Sequence, residues 1–384
     1  MNIDQLLDAL KSLLPTAGQR INLHEPVFEG NEWAYVKECL DTGWVSSVGK
    51  FVDRFEQELA AYTGAGYAVA TVNGTAALHV ALIIAGVKAG DEVIIPTMTF
   101  VATANAVAYC GAVPHFADSE ERTLGLDPAK LGEYLSEIAD IRPDGCFNKK
   151  TGRCIRAVVP MHTFGHPVNL DPLLQVCQRF NIVMIEDAAE SLGSFYKGIH
   201  TGNHGLVSTL SFNGNKIVTT GGGGALITND KELAVLAKHL TTTAKPPHPW
   251  SYRHDMIGYN YRLPNLNAAL GTAQLEKLPE FIEKKRNLAD RYAKALSGIE
   301  GIRFFTEPSF ASSNYWLNVL LLEQANPELR DNLLKMTHEA GILTRPAWVL
   351  MHRLTMYADC PHMDLSVAED LENRLINLPS SVFL

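Results

Sequence analysis

SFNGNKIVTTGGGGALIT, Ser211 to Thr228, sets one lysine, Lys216, among small, polar and apolar residues with no other charge close by in sequence. Val207, Thr209 to Phe212 and Ala225 to Thr228 read as two short strands, so Lys216 lies on their connection. Gly221 to Gly224 let the backbone approach a ligand closely there. An ε-amino group attacks a carbonyl only when neutral, and partial burial favours that form, so Lys216 is a candidate Schiff-base former. The competing reading is a solvated lysine on a turn.

Two stretches upstream fit a common site. NIVMIEDAAES, Asn181 to Ser191, is an apolar strand ending in Glu186 and Asp187, at the end where open α/β sheets gather ligands. A carboxylate there can hold a pyridinium nitrogen protonated, cap a helix or bind Mg²⁺. YAVATVNGTAALHVALIIAGV, Tyr67 to Val87, reads as a strand turning at Asn73-Gly74-Thr75 into an alanine-rich helix, whose first N–H groups suit a phosphate. Thr75 as a simple N-cap is the alternative. Neither GxxxxGK[ST] nor a strand-led GxGxxG occurs, which removes the usual support for nucleotide hydrolysis and Rossmann dinucleotide binding.

Strand-like runs at Glu92–Ile95, Val113–Phe116, Ile155–Pro160 and Ile182–Glu186 alternate with helical ones, predicting an α/β fold with a mostly parallel sheet. Thr241 to Trp250 reads as a loop, Asn265–Glu283 and Lys284–Leu296 as two long helices, and Ala311–Leu322 as the start of a smaller α+β unit. The expected division is an N-terminal helix in residues 1–25, a large domain over 26–250 and a small domain over 251–384. With 384 residues and 46% hydrophobic content the chain can bury a large core.

The formal charge of −9 disfavours a nucleic-acid surface, so an anionic substrate must be held by local groups. Six scattered cysteines without CxxC spacing suggest reduced thiols. The first fourteen residues resemble an amphipathic helix more than a signal peptide, and no run matches a membrane span; a cytoplasmic enzyme is expected. His162 and His166 have i,i+4 spacing, but Gly165 and Pro167 argue against a helix and no HExxH follows, so no metal site is expected.

The chain resembles the pyridoxal-phosphate (PLP)-dependent nucleotide-sugar aminotransferases of the DegT/DnrJ/StrS type, within the fold type I aminotransferases. Six blocks carry the resemblance: LHEPVFEGNEWAYVKECLDTGWVSSVGKFVDRFEQELA from Leu23, VNGTAAL from Val72, GDEVIIPTMTFVATANAV from Gly90, EDAAES, SFNGNKIVTTGGGG and GYNYRLPNLNAALG from Gly258. It implies a large, mostly parallel seven-stranded sheet domain with a smaller α+β domain behind it. It further implies that Lys216 forms the Schiff base with PLP and that Asp187 pairs with the pyridine nitrogen. Glu190 would lie near the phenolic oxygen, Gly74, Thr75 and Ser211 at the phosphate, and Phe100 on the ring. Asn260 would reach the phosphate from a partner subunit, which implies a homodimer with composite sites. His162, Arg345 and Trp348 are expected to meet substrate.

The chain departs from many relatives at Asn73, Glu190 and Gly222, where Ser, Gln or His, and Glu are common. A dehydratase branch has His at the lysine position, and Lys216 argues against it. The form of these blocks, with RPAW from Arg345 and NLPSS from Asn377, resembles enzymes of surface-glycan synthesis. Those aminate UDP-linked 4-keto-6-deoxy-N-acetylhexosamines on bacillosamine or legionaminic acid routes. The implied reaction is ping-pong transfer from L-glutamate through pyridoxamine phosphate. GDP- or dTDP-linked ketosugars and C3 amination are alternatives within enzymes, and a non-catalytic PLP-binding regulator is the alternative from another class.

Overall fold

The computed structural model describes residues 3–14 and 20–384. Met1 and Asn2 of the expected N-terminal helix lie outside the described residues. Helix α1 (Ile3–Leu13) buries Leu6, Leu7 and Leu10, which fall on one face at helical spacing.

A seven-stranded sheet forms the centre, built from β1 (Tyr67–Thr71), β2 (Glu92–Pro96), β3 (Val113–Ala117), β4 (Ile155–Val158), β5 (Val183–Asp187), β6 (Val207–Ser211) and β7 (Gly224–Thr228). Their order is β1-β7-β6-β5-β4-β2-β3. The pairs β6–β5, β5–β4, β4–β2 and β2–β3 are parallel, whereas β7 runs antiparallel to both β1 and β6. The sequence explains why this sheet is covered on both faces. Along β7, Ala225 and Ile227 enter one apolar cluster with Phe55, Leu59 and Leu278, while Leu226 between them enters another with Leu82, Ile94 and Ile185. Alternate side chains leave a strand on opposite faces, so a strand with no polar alternation needs cover on both.

Helices α2 (Glu32–Thr42) and α3 (Lys50–Thr63) lie on one side, and α4 (Gly74–Ile84) and α5 (Val101–Tyr109) on the other. A four-stranded sheet follows in the C-terminal part, with Asn318–Leu322 and Leu375–Leu378 at its centre. The two helices expected between Asn265 and Leu296 are one continuous helix of 32 residues, despite Pro279. Its buried stripe, Leu278, Phe281, Lys285, Leu288, Tyr292 and Leu296, keeps helical spacing through the charged stretch at 283–286. Tertiary burial on that stripe outweighs a break suggested by local polarity. The first half of the helix joins the cluster around Phe55, and the second joins the small sheet's cluster around Leu320 and Ile376. The parallel strands β5 and β6 end at Asp187 and Ser211, which share a cavity with Trp316 and Trp348 of the C-terminal part.

Candidate active site

Lys216 is held by the way its loop closes. The Phe212 N–H reaches the Gly223 carbonyl at 2.8 Å and the Thr220 N–H reaches the Phe212 carbonyl at 2.9 Å, continuing the β6–β7 ladder past its last paired residues. Gly221 turns with φ +78°, and at Gly224 a Cβ would lie 2.5 Å from the Asn73 carbonyl carbon. Gly222 meets nothing within 4 Å, so its side has room. The Trp316 indole N–H donates to the Asn215 carbonyl at 2.7 Å, and its ring centroid lies 3.8 Å from Lys216 Nζ. The amine is thus placed against an aromatic face, with a side chain 13% exposed.

Two carboxylates at the end of β5 face different ways because successive strand residues do. Glu186 points away from the cavity. It accepts hydrogen bonds from the Gly202, His204 and Gly205 amides, each at 2.8 Å, and from His162 Nε2 at 3.0 Å. Burial opposes its charge, but these donors outweigh it and hold its pKa at about 2. Asp187 points into the cavity. Its Oδ2 accepts from the Thr103 hydroxyl at 2.8 Å and its Oδ1 from the Ala189 amide at 3.2 Å. Burial pushes its pKa up, with Thr103 and Ala189 acting against that. Glu190 follows, one oxygen accepting the Phe164 N–H at 2.8 Å and the other lying 3.2 Å from Lys216 Nζ. Burial lifts its pKa to about 7.

The cavity these groups share has a volume of about 320 Å³, within the range of small-ligand sites. Its opposite wall is the start of α4. Asn73 caps that helix, accepting from the Ala76 N–H at 2.7 Å, which leaves the Gly74 and Thr75 end facing the cavity. A Cβ at Gly74 would lie 3.0 Å from Ser211 Cβ, so the absence of one keeps the helix start against the Ser211 hydroxyl. Helix-start amides, Thr75 and Ser211 suit a phosphate; a buried acid suits a pyridinium; an amine beside them suits an aldehyde. The residues fit PLP.

Lys216, Asp187, Gly74, Thr75, Phe100, Glu190, Ser211 and Trp348 all line this one cavity. His162 does not, against expectation. Its Nε2 serves Glu186, its Nδ1 accepts the Val168 N–H at 3.2 Å, and it is fully buried. His166 packs against Phe305 and Tyr315. Arg345 also lies off the cavity of its own chain; it is exposed and bonded to the Thr344 carbonyl and His338. Asn260 is exposed and accepts from Arg262 at 2.8 Å. Sequence reasoning missed Thr103 and Trp316. Thr103 stands three residues past Phe100 at a helix start, a position from which it could have been found; Trp316 had no local signal. Among the described residues, no helix is long and apolar enough to cross a membrane.

The model of the DegT/DnrJ/EryC1/StrS aminotransferase family matches residues 27–384. GDP-perosamine synthases of Caulobacter vibrioides and Escherichia coli O157:H7 are each 38% identical to the chain, over 94% of it and 93% of their own length. The crystal structure of the aminotransferase TlmJ from Streptoalloteichus hindustanus superposes with a TM-score of 0.84 at 28% identity, covering 95% of this chain and 94% of that one. The chain belongs to the DegT/DnrJ/EryC1/StrS aminotransferase family. It is a PLP-dependent sugar aminotransferase with the α/β architecture of those enzymes.

Proposed function

We propose that the protein transfers an amino group from L-glutamate to the 4-keto group of a GDP-linked 4-keto-6-deoxy hexose, for surface-glycan synthesis. The observation that carries the reaction is the convergence of Lys216, Asp187 and the α4 start on one cavity at the carboxyl end of the sheet. When bound, PLP supplies an aldehyde that exchanges amino groups and a ring that delocalises negative charge.

The chain's residues supply the rest. Lys216 would anchor the aldehyde, and its Nζ would carry the proton to and from the reacting carbon. Asp187 keeps the ring nitrogen protonated, and the ring's charge offsets the burial that raises the Asp187 pKa. Thr103 fixes that carboxylate's orientation at 2.8 Å. Gly74, Thr75 and Ser211 hold the phosphate, Phe100 covers the ring, and Asn260 reaches the phosphate of the neighbouring subunit in a homodimer. Trp348, stacked on Phe164 at 4.9 Å and 26°, lines the same cavity and would meet the substrate there.

The names of the two bacterial relatives favour GDP as the nucleotide, where the sequence blocks alone had suggested UDP. UDP-linked N-acetylhexosamines remain the second reading, favoured by the SFNGNK and NLPSS stretches. The test offers the pyridoxamine form GDP-, UDP- and dTDP-linked 4-keto and 3-keto sugars and identifies the product by mass and NMR. A GDP-linked 4-amino sugar is expected; clear preference for another nucleotide or C3 amination refutes the substrate assignment.

A further inference from the structure

The surroundings of Glu190 leave one of its oxygens a single task. Its Oε2 is occupied by the Phe164 N–H at 2.8 Å. Phe164 is itself fixed in the left-handed region, at φ +56°. The Asn314 amide donates to the Glu190 carbonyl at 2.9 Å and holds the main chain. That leaves Oε1, 3.2 Å from Lys216 Nζ. Among the described residues it is the only hydrogen-bond acceptor shown for that amine. Trp316, 3.8 Å away, stabilises an ammonium but cannot take its proton, and Asp187 is held by Thr103 and Ala189.

We infer that Glu190 is the proton partner of Lys216: Oε1 takes a proton from the Nζ ammonium and returns it, leaving the neutral amine that the reaction requires. An N–H bond breaks at Nζ and an O–H bond forms at Oε1, with nothing oxidised or reduced. The inference rests on the proposed role of Lys216 as anchor and proton carrier. The charged groups facing Glu190 are Lys216 from the β6–β7 loop and Asp187 from the end of β5. Burial raises its pKa to about 7, Lys216 and the Phe164 amide act against that, and Asp187 adds to it. The carboxyl is therefore divided between its two forms at neutral pH.

The test compares wild type, Glu190→Gln and Glu190→Asp as holoenzymes in single turnovers with L-glutamate between pH 5.5 and 9. Wild type is expected to slow as pH falls through about 7, because protonated Glu190 cannot accept. Glu190→Gln keeps an acceptor for Phe164 but takes no proton, so it should slow by about 10²-fold and lose that acid limb. Glu190→Asp should recover the limb. A second readout needs no turnover: acylation of Lys216 in the apo-protein, followed by peptide mass. Labelling at a fixed pH of 8 should be faster in Glu190→Gln than in wild type, since the amine loses the carboxylate that holds its proton. An unchanged labelling rate, or a Gln variant with wild-type turnover and acid limb, overturns the inference. Borohydride trapping separates the two levels. Failure to trap PLP on wild-type Lys216 overturns the proposed function as well, whereas trapping with unchanged profiles overturns the proton partnership alone.

Discussion

Replacing Lys285 with Met should erase one component of the pH dependence of stability. Lys285 is a fully buried lysine of the long helix, its Nζ donating to the Trp316 carbonyl at 3.0 Å and the Ser380 carbonyl at 2.5 Å. Burial lowers its pKa from 10.5 to about 7. Between those values the unfolded chain binds the proton and the folded chain does not, so wild-type stability rises with pH across that window. Below pH 7 both states hold the proton and the folded state bears the full cost of the buried charge. At 1.36 kcal/mol per pKa unit, and with Lys285 half-protonated at pH 7, the rise from pH 7 to 9 is about 2 kcal/mol. His24 nearby does not add to it. Burial first, then the charges of Lys285 and Lys216, hold its pKa well below 6.5, so it stays neutral throughout.

The methionine removes the charge but leaves two buried carbonyls without a donor, at about 1–3 kcal/mol each. Relief and cost nearly cancel at pH 7, and the cost dominates at pH 9. With an unfolding entropy of about 2.1 cal/mol/K per residue, 2 kcal/mol corresponds to roughly 2–3 °C for a chain of this length. Melting of apo-proteins at matched concentration should show the wild-type advantage growing by that much from pH 7 to 9. Parallel pH curves for the two proteins would refute the buried-ammonium reasoning. Because Trp316 also faces Lys216, a slower half-reaction in the variant would tie this helix to the site.

Three further outcomes test the site. Lys216→Ala should abolish steady-state transamination and the borohydride-reducible link to PLP; normal turnover would remove Lys216 from its role. Asp187→Asn should bind PLP yet slow both half-reactions by orders of magnitude in single-turnover measurements, since it removes a charge aimed at the ring; rates near wild type would reduce Asp187 to a cap for the Ala189 amide. Lys216→Ala mixed with Asn260→Ala should gain activity over either parent once subunits exchange, because both lesions then fall in one composite site. No gain despite proven exchange would show that Asn260 does not cross between subunits.

Much of this protein could be read along the chain. Continuous apolar strands bounded by Gly and Asn marked the sheet, and Lys216, Asp187 and Gly74-Thr75 stood out because each sits at or just beyond a strand end, Lys216 with no other charge close by in sequence. These are local signals, set by side-chain periodicity over a few residues. Long-range packing decided the rest. Glu186 and Asp187 are adjacent carboxylates, yet only the direction of each across the sheet makes one a partner of His162 and the other a wall of the cavity. Lys284 to Arg286 looked like a break in a helix, but Lys285 is buried between two carbonyls that lie far along the chain. Trp316, a hundred residues from Lys216, reaches it only because the small sheet folds back over the carboxyl ends of the large one. Such contacts depend on which surfaces meet, and burial energy accumulated over whole faces, not the pattern at any one residue, selects that meeting.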